Sequence, residues 1–342
     1  MNDIDFWNVL KKEILPLNPS QYDLTSICNL RCEGCLFFSG EDYLNYQDEN
    51  DLKKIEDFFL AEKKRGTKYG YFAGAEPSLA VDKLRIAAKY IPYGAIFTNG
   101  ISKIDEDIPY RVHISIWGDS ALSKKSRGAD IFGKQIENYK NDRRAVFVLT
   151  INSSNIDQIE LIAENCALND VSLTFNHYSP TSKYLNYLNG DFVGDKYHFM
   201  GIGGDKLQLT ANDLCRVKEK IDYLLDLPQK YKILYSRELN EIINNPKGLY
   251  ADRLDDKGVA IDCGVRLTAK LKHVNTDLSF SKEKCCTPNI NCQSCRLYAQ
   301  SFATLLSRLT QKYRSENSRI ELIKLWRAWC DIFMNDDRVR QS

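Results

Sequence analysis

Six short apolar runs, separated by segments of helical spacing, constrain the fold of residues 20–180 more than any other feature of the chain. The runs are YDLTSI (22–27), YGYFAG (69–74), AIFTN (95–99), YRVHISIWG (110–118), AVFVLTIN (145–152) and VSLTFNHYSP (171–180). Between them, Leu52, Ile55 and Phe59, the segments LAVDKLRIAAKY and IFGKQIENYK, and then Ile156, Ile159, Ile162 and Ala163 place apolar residues at helical intervals. Strands that alternate with helices pair in parallel, because each crossover needs a helix's length of chain, so the pattern predicts an α/β fold. Six such units fall short of the eight that close a full barrel, which predicts a partial, open (βα)6 barrel. In sheets of this kind chemistry gathers in the loops after the carboxyl ends of the strands.

After Pro180 the regularity stops. Residues 181–210 mix aromatics with Gly, Asn and Asp and read as a long connection or lid. Leu214, Val217, Ile221 and Leu224 then mark a helix, and YKILYS (231–236) reads as a strand. A cysteine-rich segment follows, and then two helices carrying Leu305, Leu306 and Leu309 and Trp326, Trp329 and Phe333. The expected division is an N-terminal extension (1–20), the barrel (20–180), a connecting lid and helical region (181–254), a cysteine-rich region (255–300) and C-terminal helices (301–342). Lys plus Arg number 47 against 46 Asp plus Glu, so no overall field attracts a polyanion or an anionic membrane, and nucleic acid is disfavoured as a partner. No basic segment followed by an apolar run opens the chain and no 18 apolar residues run together, which predicts a cytoplasmic protein without a membrane span. Eleven cysteines in a reducing compartment are expected to bind metal and not to form disulfides.

Three of them, Cys28, Cys32 and Cys35, fall within the stretch TSICNLRCEGCLFF, directly after the first predicted strand. Structural zinc is four-coordinate and favours paired C-x2-C elements, whereas this stretch is C-x3-C-x2-C with no fourth Cys or His beside it. A 4Fe-4S cluster on three thiolates keeps one iron without a protein ligand, open to something that reacts there.

C-x3-C-x2-C after the first strand of a (βα) barrel resembles the radical S-adenosylmethionine (radical SAM) superfamily. FAGAEP resembles that family's Gly-Gly-Glu-Pro segment after the second strand, with Gly74, Glu76 and Pro77 matching and Ala75 departing. FTNG is similar to the segment after the third strand and contributes Asn99, and HISIWG is similar to the fourth-strand segment, whose Ser115 would approach the ribose. Arg127 in KKSRG stands at a familiar polar position, and TINSSN puts Asn152 near the cofactor by the same likeness. The resemblance implies S-adenosyl-L-methionine and a 4Fe-4S cluster as cofactors, a reductant such as flavodoxin or ferredoxin, and hydrogen abstraction from a peptide or small-molecule substrate. Adenosyl addition, epimerisation or a carbon-skeleton step are alternatives, and a non-catalytic zinc or iron-sulfur protein on the same barrel is the reading from another class. The family's aromatic residue before the third cysteine is here Gly34, which leaves Leu36, Phe37 or Phe38 to meet adenine.

Cys263, Cys285, Cys286, Cys292 and Cys295 form a second group. A cysteine, two short strand-like runs, a further cysteine and then C-x2-C are similar to the twitch or truncated SPASM extensions of radical SAM enzymes. That resemblance implies a second 4Fe-4S cluster, an electron acceptor for an oxidoreductase, with zinc as the alternative and with Cys285 and Cys286 competing for one position. Cys166, Cys215 and Cys330 border apolar helix faces and read as structural thiols. His113 lies within a strand and reads as structural, whereas His177 and Tyr178, at a strand end, stand between packing and a cofactor contact.

Overall fold

The computed structural model describes residues 1–38, 47–188, 207–267, 271–282, 285, 290–312 and 319–339. In chain order its elements are α1 (Asp3–Val9), β1 (Pro19–Asp23), α2 (Leu52–Lys64), β2 (Tyr69–Ala73), α3 (Val81–Ala88), β3 (Tyr93–Thr98), β4 (Arg111–Ile116), α4 (Ser120–Arg127), α5 (Phe132–Tyr139) and β5 (Ala145–Ile151). There follow α6 (Ile159–Leu168), β6 (Ser172–His177), α7 (Ser182–Leu188), α8 (Ala211–Leu225), α9 (Arg237–Ile243), α10 (Gly264–Leu267), β7 (Lys272–Val274), α11 (Tyr298–Lys312) and α12 (Arg319–Phe333). All six apolar runs contain or overlap a strand; the first strand begins three residues ahead of its run, because Pro19–Asp23 is the stretch that pairs with Tyr69–Ala73.

Among the described residues, seven strands form one parallel sheet in the order β6-β5-β4-β3-β2-β1-β7. The seventh comes from the cysteine-rich region. One of the two strand-like runs expected there adds to the edge of the main sheet beside β1, with Gln21 opposite His273, and touches the chain near Phe280 through a single antiparallel bridge. YKILYS does not become a strand: Ile233 makes one parallel bridge to Leu173, and Ser236 then caps α9 by accepting from the Leu239 N–H, so the chain turns into a helix instead. Of the expected lid, residues 182–188 form α7, and 189–206 lie outside the described residues.

The period of two along the strands separates two environments. Tyr22 and Phe72 point outward and pack on Phe59 of α2, at ring separations of 5.1 and 6.5 Å. Tyr69, Tyr71, Phe97 and His113 point to the other face, where Trp329, Phe333 and Tyr298 of α11 and α12 cover them. The last turn of α12 carries carbonyls with no intrahelical partner, and the sheet supplies donors for them. Tyr69 Oη donates to Phe333 O (2.7 Å), Arg111 to Asp331 O (2.8 Å) and Ile332 O (3.3 Å), and His113 Nε2 to Ile332 O (2.8 Å). A carbonyl only accepts, so Nε2 holds the His113 proton and Nδ1 accepts from Tyr298 Oη at 2.5 Å. Burial holds His113 neutral, its pKa pushed down to about 3. The structural reading of His113 agrees with this packing.

These aromatic residues seal the lower part of the inner face. Above them, toward the carboxyl ends, Asp23, Ala73, Ser115, Thr150 and Asn176 face open space. No helix among the described residues is long and apolar enough to cross a membrane.

Candidate active site

The chain leaving β1 is fastened before it reaches the first cysteine. Lys83 of α3, buried and with its pKa lowered by that burial, donates to Leu24 O at 2.7 Å. Asp48 accepts from Thr25 Oγ1 at 2.6 Å and from the Ser26 N–H at 2.8 Å, and Ala75 N–H donates to Thr25 O at 2.8 Å. Cys28, Cys32 and Cys35 consequently share one wall of a cavity of about 380 Å³ at the carboxyl edge of the sheet. N–H groups are aimed at their sulfurs: Leu30 N at Cys28 Sγ and Arg127 Nε at Cys32 Sγ, each at 3.4 Å. Burial pushes the Cys28 thiol up to about 11 and the Cys35 thiol up to about 12, and the neighbouring Cys32 adds to both. Among the described residues no three Cys, His, Asp or Glu side chains converge on the position of a single ion. Three neighbouring, half-buried thiols with donors pointed at them suit a group that takes one thiolate per iron and displaces the thiol protons on binding.

The loop after β2 supplies Gly74, Ala75 and Glu76 to the same cavity. Gly74 has φ 113, and a Cβ there would lie 2.9 Å from Leu24 N and from Thr25 O, so no side chain fits where this loop crosses the end of β1. Ala75 does not have positive φ, which removes any need for a second glycine. Glu76 is buried, and three donors reach its carboxylate: Thr98 Oγ1 at 2.6 Å and Ser78 N at 2.9 Å on Oε1, and Asn99 N at 2.7 Å on Oε2. It thereby ties the loop after β2 to the loop after β3. Asn99 Nδ2 in turn donates to Asn29 Oδ1 at 2.6 Å, within the cysteine loop. Ser115 lines the cavity, and its carbonyl accepts from Arg127 Nη1 and from Gln135 Nε2.

Two expected cofactor contacts fall elsewhere. Pro77 begins a 3₁₀ turn (Pro77–Leu79) and is buried outside the cavity lining. Asn152 folds into its own turn, accepting from the Ser154 N–H and donating to Thr150 O, because an Asn just past a strand finds local backbone partners first. Thr150, two residues earlier, faces the cavity in its place.

The aromatic wall also differs from expectation. Gly34 has φ 58, and any Cβ there would run into the hydroxyl of Tyr178. Tyr178 thus fills the place of a side chain at 34, and it packs edge-on against Trp117 at 5.9 Å. Leu36, Phe37 and Phe38 line the cavity as well. His177 does not: its Nε2 pairs with Asn244 Oδ1 at 2.8 Å, and burial pushes its pKa down to about 4, so the packing alternative applies. Asp23 and His273, which the sequence reading did not single out, meet at 2.8 Å on the cavity wall. They are 250 positions apart and meet only through the β1–β7 pairing.

The second cysteine group abuts this site. Cys263 and Cys295 are buried in a small cluster with Leu249, Tyr250, Ala260 and Leu297, against which Leu36 of the first loop also packs. Tyr250 Oη donates to Cys263 Sγ at 3.6 Å. Burial pushes Cys295 up to about 12, and the thiols of Cys285, Cys263 and Cys292 are near enough to add to the shift. The Cys292–Cys295 turn is pinned where Arg296 N–H donates to Ser179 Oγ at 2.9 Å. Cys286 lies outside the described residues. Cys166 and Cys330 are buried thiols, as expected, whereas Cys215 faces solvent on α8, beside and not within the apolar stripe.

No protein-family model matches the sequence, and no curated protein matches it. Solved structures do. SuiB from Streptococcus suis superposes with a TM-score of 0.54 at 14% identity, over 95% of this chain and 66% of its own. SuiB bound to precursor peptide SuiA gives 0.53 at 15% identity, over 83% of this chain and 63% of that one. Native anSMEcpe with bound AdoMet gives 0.53 at 16%, over 95% and 91%. SuiB has also been solved bound to S-adenosylmethionine, with a TM-score of 0.53 at 15% identity. The chain has the fold of these structures. It spans about two thirds of the length of SuiB.

Proposed function

We propose that the protein is a radical SAM enzyme in which Cys28, Cys32 and Cys35 hold a 4Fe-4S cluster and the loops after β2, β3 and β4 hold S-adenosylmethionine. The observation that carries this is the convergence of the three thiols, Gly74, Ala75, Glu76, Asn99 and Ser115 on one cavity at the carboxyl ends of parallel strands. When bound and reduced, the cluster supplies the electron that splits S-adenosylmethionine into methionine and a 5′-deoxyadenosyl radical, which takes a hydrogen atom from the substrate. The protein's own part is positioning. Glu76 locks two cofactor loops together, Asn99 links them to the cysteine loop, and Trp117, Tyr178, Phe37 and Phe38 give the cavity apolar walls.

For the substrate we propose a peptide, because SuiB, which shares the fold, has been captured with precursor peptide SuiA. Among the described residues, seven parallel strands whose edge strands β6 and β7 do not pair with each other suit the partial (βα) barrel of this reading. Residues 255–300 are proposed to hold a second 4Fe-4S cluster on four of Cys263, Cys285, Cys286, Cys292 and Cys295. Support comes from the packing of Leu36, in the first cysteine loop, against the buried group that includes Cys263 and Cys295; an electron acceptor held there would lie beside the cavity.

The test is anaerobic reconstitution with iron and sulfide, then dithionite and S-adenosylmethionine without substrate, with 5′-deoxyadenosine measured by chromatography. The wild-type protein is expected to release it and C28A/C32A/C35A to release none. Release by the triple variant would sink the assignment.

A further inference from the structure

Arg127 sits in the last turn of α4, a helix begun by Asp119, which accepts from the Leu122 N–H, and ended by Gly128 in the left-handed conformation. Two bonds tie that turn to the cysteine loop: Glu33 N–H donates to Ser126 O at 2.8 Å, and Arg127 Nε–H donates to Cys32 Sγ at 3.4 Å. Nη1 donates to the carbonyl of Ser115, which Gln135 Nε2 holds from the other side at 2.9 Å. The guanidinium is thus fixed from both ends, and Arg127 is only 4% exposed.

Among the described residues it has no carboxylate partner: the groups it meets are a carbonyl and a thiol. A buried cation without a counter-charge is costly, by several kcal/mol before compensation. A guanidinium that keeps its charge in every protein site therefore demands a negative charge beside it. Three thiolates around an iron-sulfur cluster supply that charge, and they lie on the side to which Nε points.

We propose that Arg127 is the fixed counter-ion of the cysteine loop, bonded to the Cys32 ligand, and that it sets the cluster's reduction potential. This rests on the reading of Cys28, Cys32 and Cys35 as a 4Fe-4S site. Reduction adds one electron to an already anionic centre, so a cation bonded to a ligand sulfur favours the reduced state, and hydrogen bonds to the sulfurs act in the same direction. Removing the charge disfavours reduction.

The experiment is a potentiometric titration, followed by electron paramagnetic resonance, of the anaerobically reconstituted full chain without S-adenosylmethionine. Wild type, Arg127→Gln and Arg127→Lys are compared, with iron content measured on each. Arg127→Gln is expected to shift the reduction equilibrium about tenfold toward the oxidised state, about 59 mV for one electron. Arg127→Lys, which keeps the charge and loses the planar donor, should shift it in the same direction by less. Affinity for S-adenosylmethionine is measured on the same preparations. A variant with full iron content and an unchanged potential overturns the proposal, and so does a large loss of S-adenosylmethionine affinity without a change in potential. Should Arg127→Gln take up no iron, the same criteria apply to Arg127→Lys. Wild-type protein that takes up no iron would overturn the cluster reading itself, a result distinct from an unchanged potential.

Discussion

Replacing Gly74 with Ala while leaving Ala75 alone, and the converse, separates what the loop after β2 needs from what it tolerates. At φ 113 an L-residue is strained by on the order of 1–3 kcal/mol. The added methyl would also sit 2.9 Å from Leu24 N and Thr25 O and 3.1 Å from Thr25 N, all backbone atoms held by the β1–β2 pairing and the Ala75–Thr25 hydrogen bond. Relieving that contact means giving up at least one such bond, worth about 1 kcal/mol. Gly74→Ala should therefore cost about 2–4 kcal/mol, and because the strain falls on the residues that launch the cysteine loop, it should appear in iron retention and S-adenosylmethionine affinity as well as in global stability. A loss of about 3 kcal/mol expressed in binding is roughly a hundredfold. Ala75→Gly releases only backbone freedom, about 1 kcal/mol or less, and should leave affinity within a few fold. Urea unfolding followed by circular dichroism gives the stabilities, and equilibrium dialysis of S-adenosylmethionine gives the affinities. Gly74→Ala protein that unfolds within about 0.5 kcal/mol of wild type and keeps its iron would refute the steric argument. A large gain in affinity for Ala75→Gly would mean that Ala75 impairs the site.

Three further outcomes are expected. Glu76→Gln must turn its amide nitrogen toward a backbone N–H, of Ser78 or of Asn99, in either orientation, so urea unfolding should show a loss of about 1–3 kcal/mol together with weaker S-adenosylmethionine binding; wild-type stability would count against the three-donor arrangement. The C28A/C32A/C35A protein, reconstituted anaerobically, should keep about four irons on the C-terminal cysteines, whereas stoichiometric zinc and no iron in the protein as purified would make that segment a structural ribbon. His113 and His177 are neutral when folded down to about pH 3 and about pH 4, while their unfolded forms take up protons below about pH 6.5. The unfolded state binds more protons in that window, so stability should fall as pH is lowered from about 6.5, by up to about 1.4 kcal/mol per pH unit for each histidine. His113→Gln/His177→Gln protein should show a shallower slope in urea midpoints measured from pH 7 to pH 5, and an unchanged slope would contradict the assignment.

The sheet was legible because central parallel strands are buried on both faces and leave unbroken apolar runs, of which AVFVLTI is the plainest. Lys-His-Val, the seventh strand, is three residues long, two of them polar, and only its pairing with β1 makes it a strand. Helix α4, SALSKKSR, carries no apolar stripe, so the periodicity gives no helix there, and the structure bounds it by Asp119 and Gly128. Within the cavity, the proposed site residues Gly74, Glu76 and Asn99 stand at or within three residues of their strand ends, so the strand pattern already put them at the carboxyl edge. Asn152 misled because its local turn competes with the cavity for the same amide, and Tyr178 was weighed without its partner because nothing in the sequence places it over Gly34.

The floor of the cavity joins distant parts of the chain. The bonds from Tyr69, Arg111 and His113 to the end of α12 span 264, 221 and 219 residues. During synthesis the strands therefore emerge long before the helix that covers their inner aromatic face, and closure of so long a loop is slow relative to local helix formation. Until α12 docks, the buried ring of Tyr69 and the half-buried rings of Tyr71 and Phe97 stay in fuller contact with water and with whatever else binds apolar surface. On the proposed function, iron delivered to Cys28, Cys32 and Cys35 before that moment would meet a site open from below, which would tie cofactor loading to the docking of α12 and not to exposure of the cysteines.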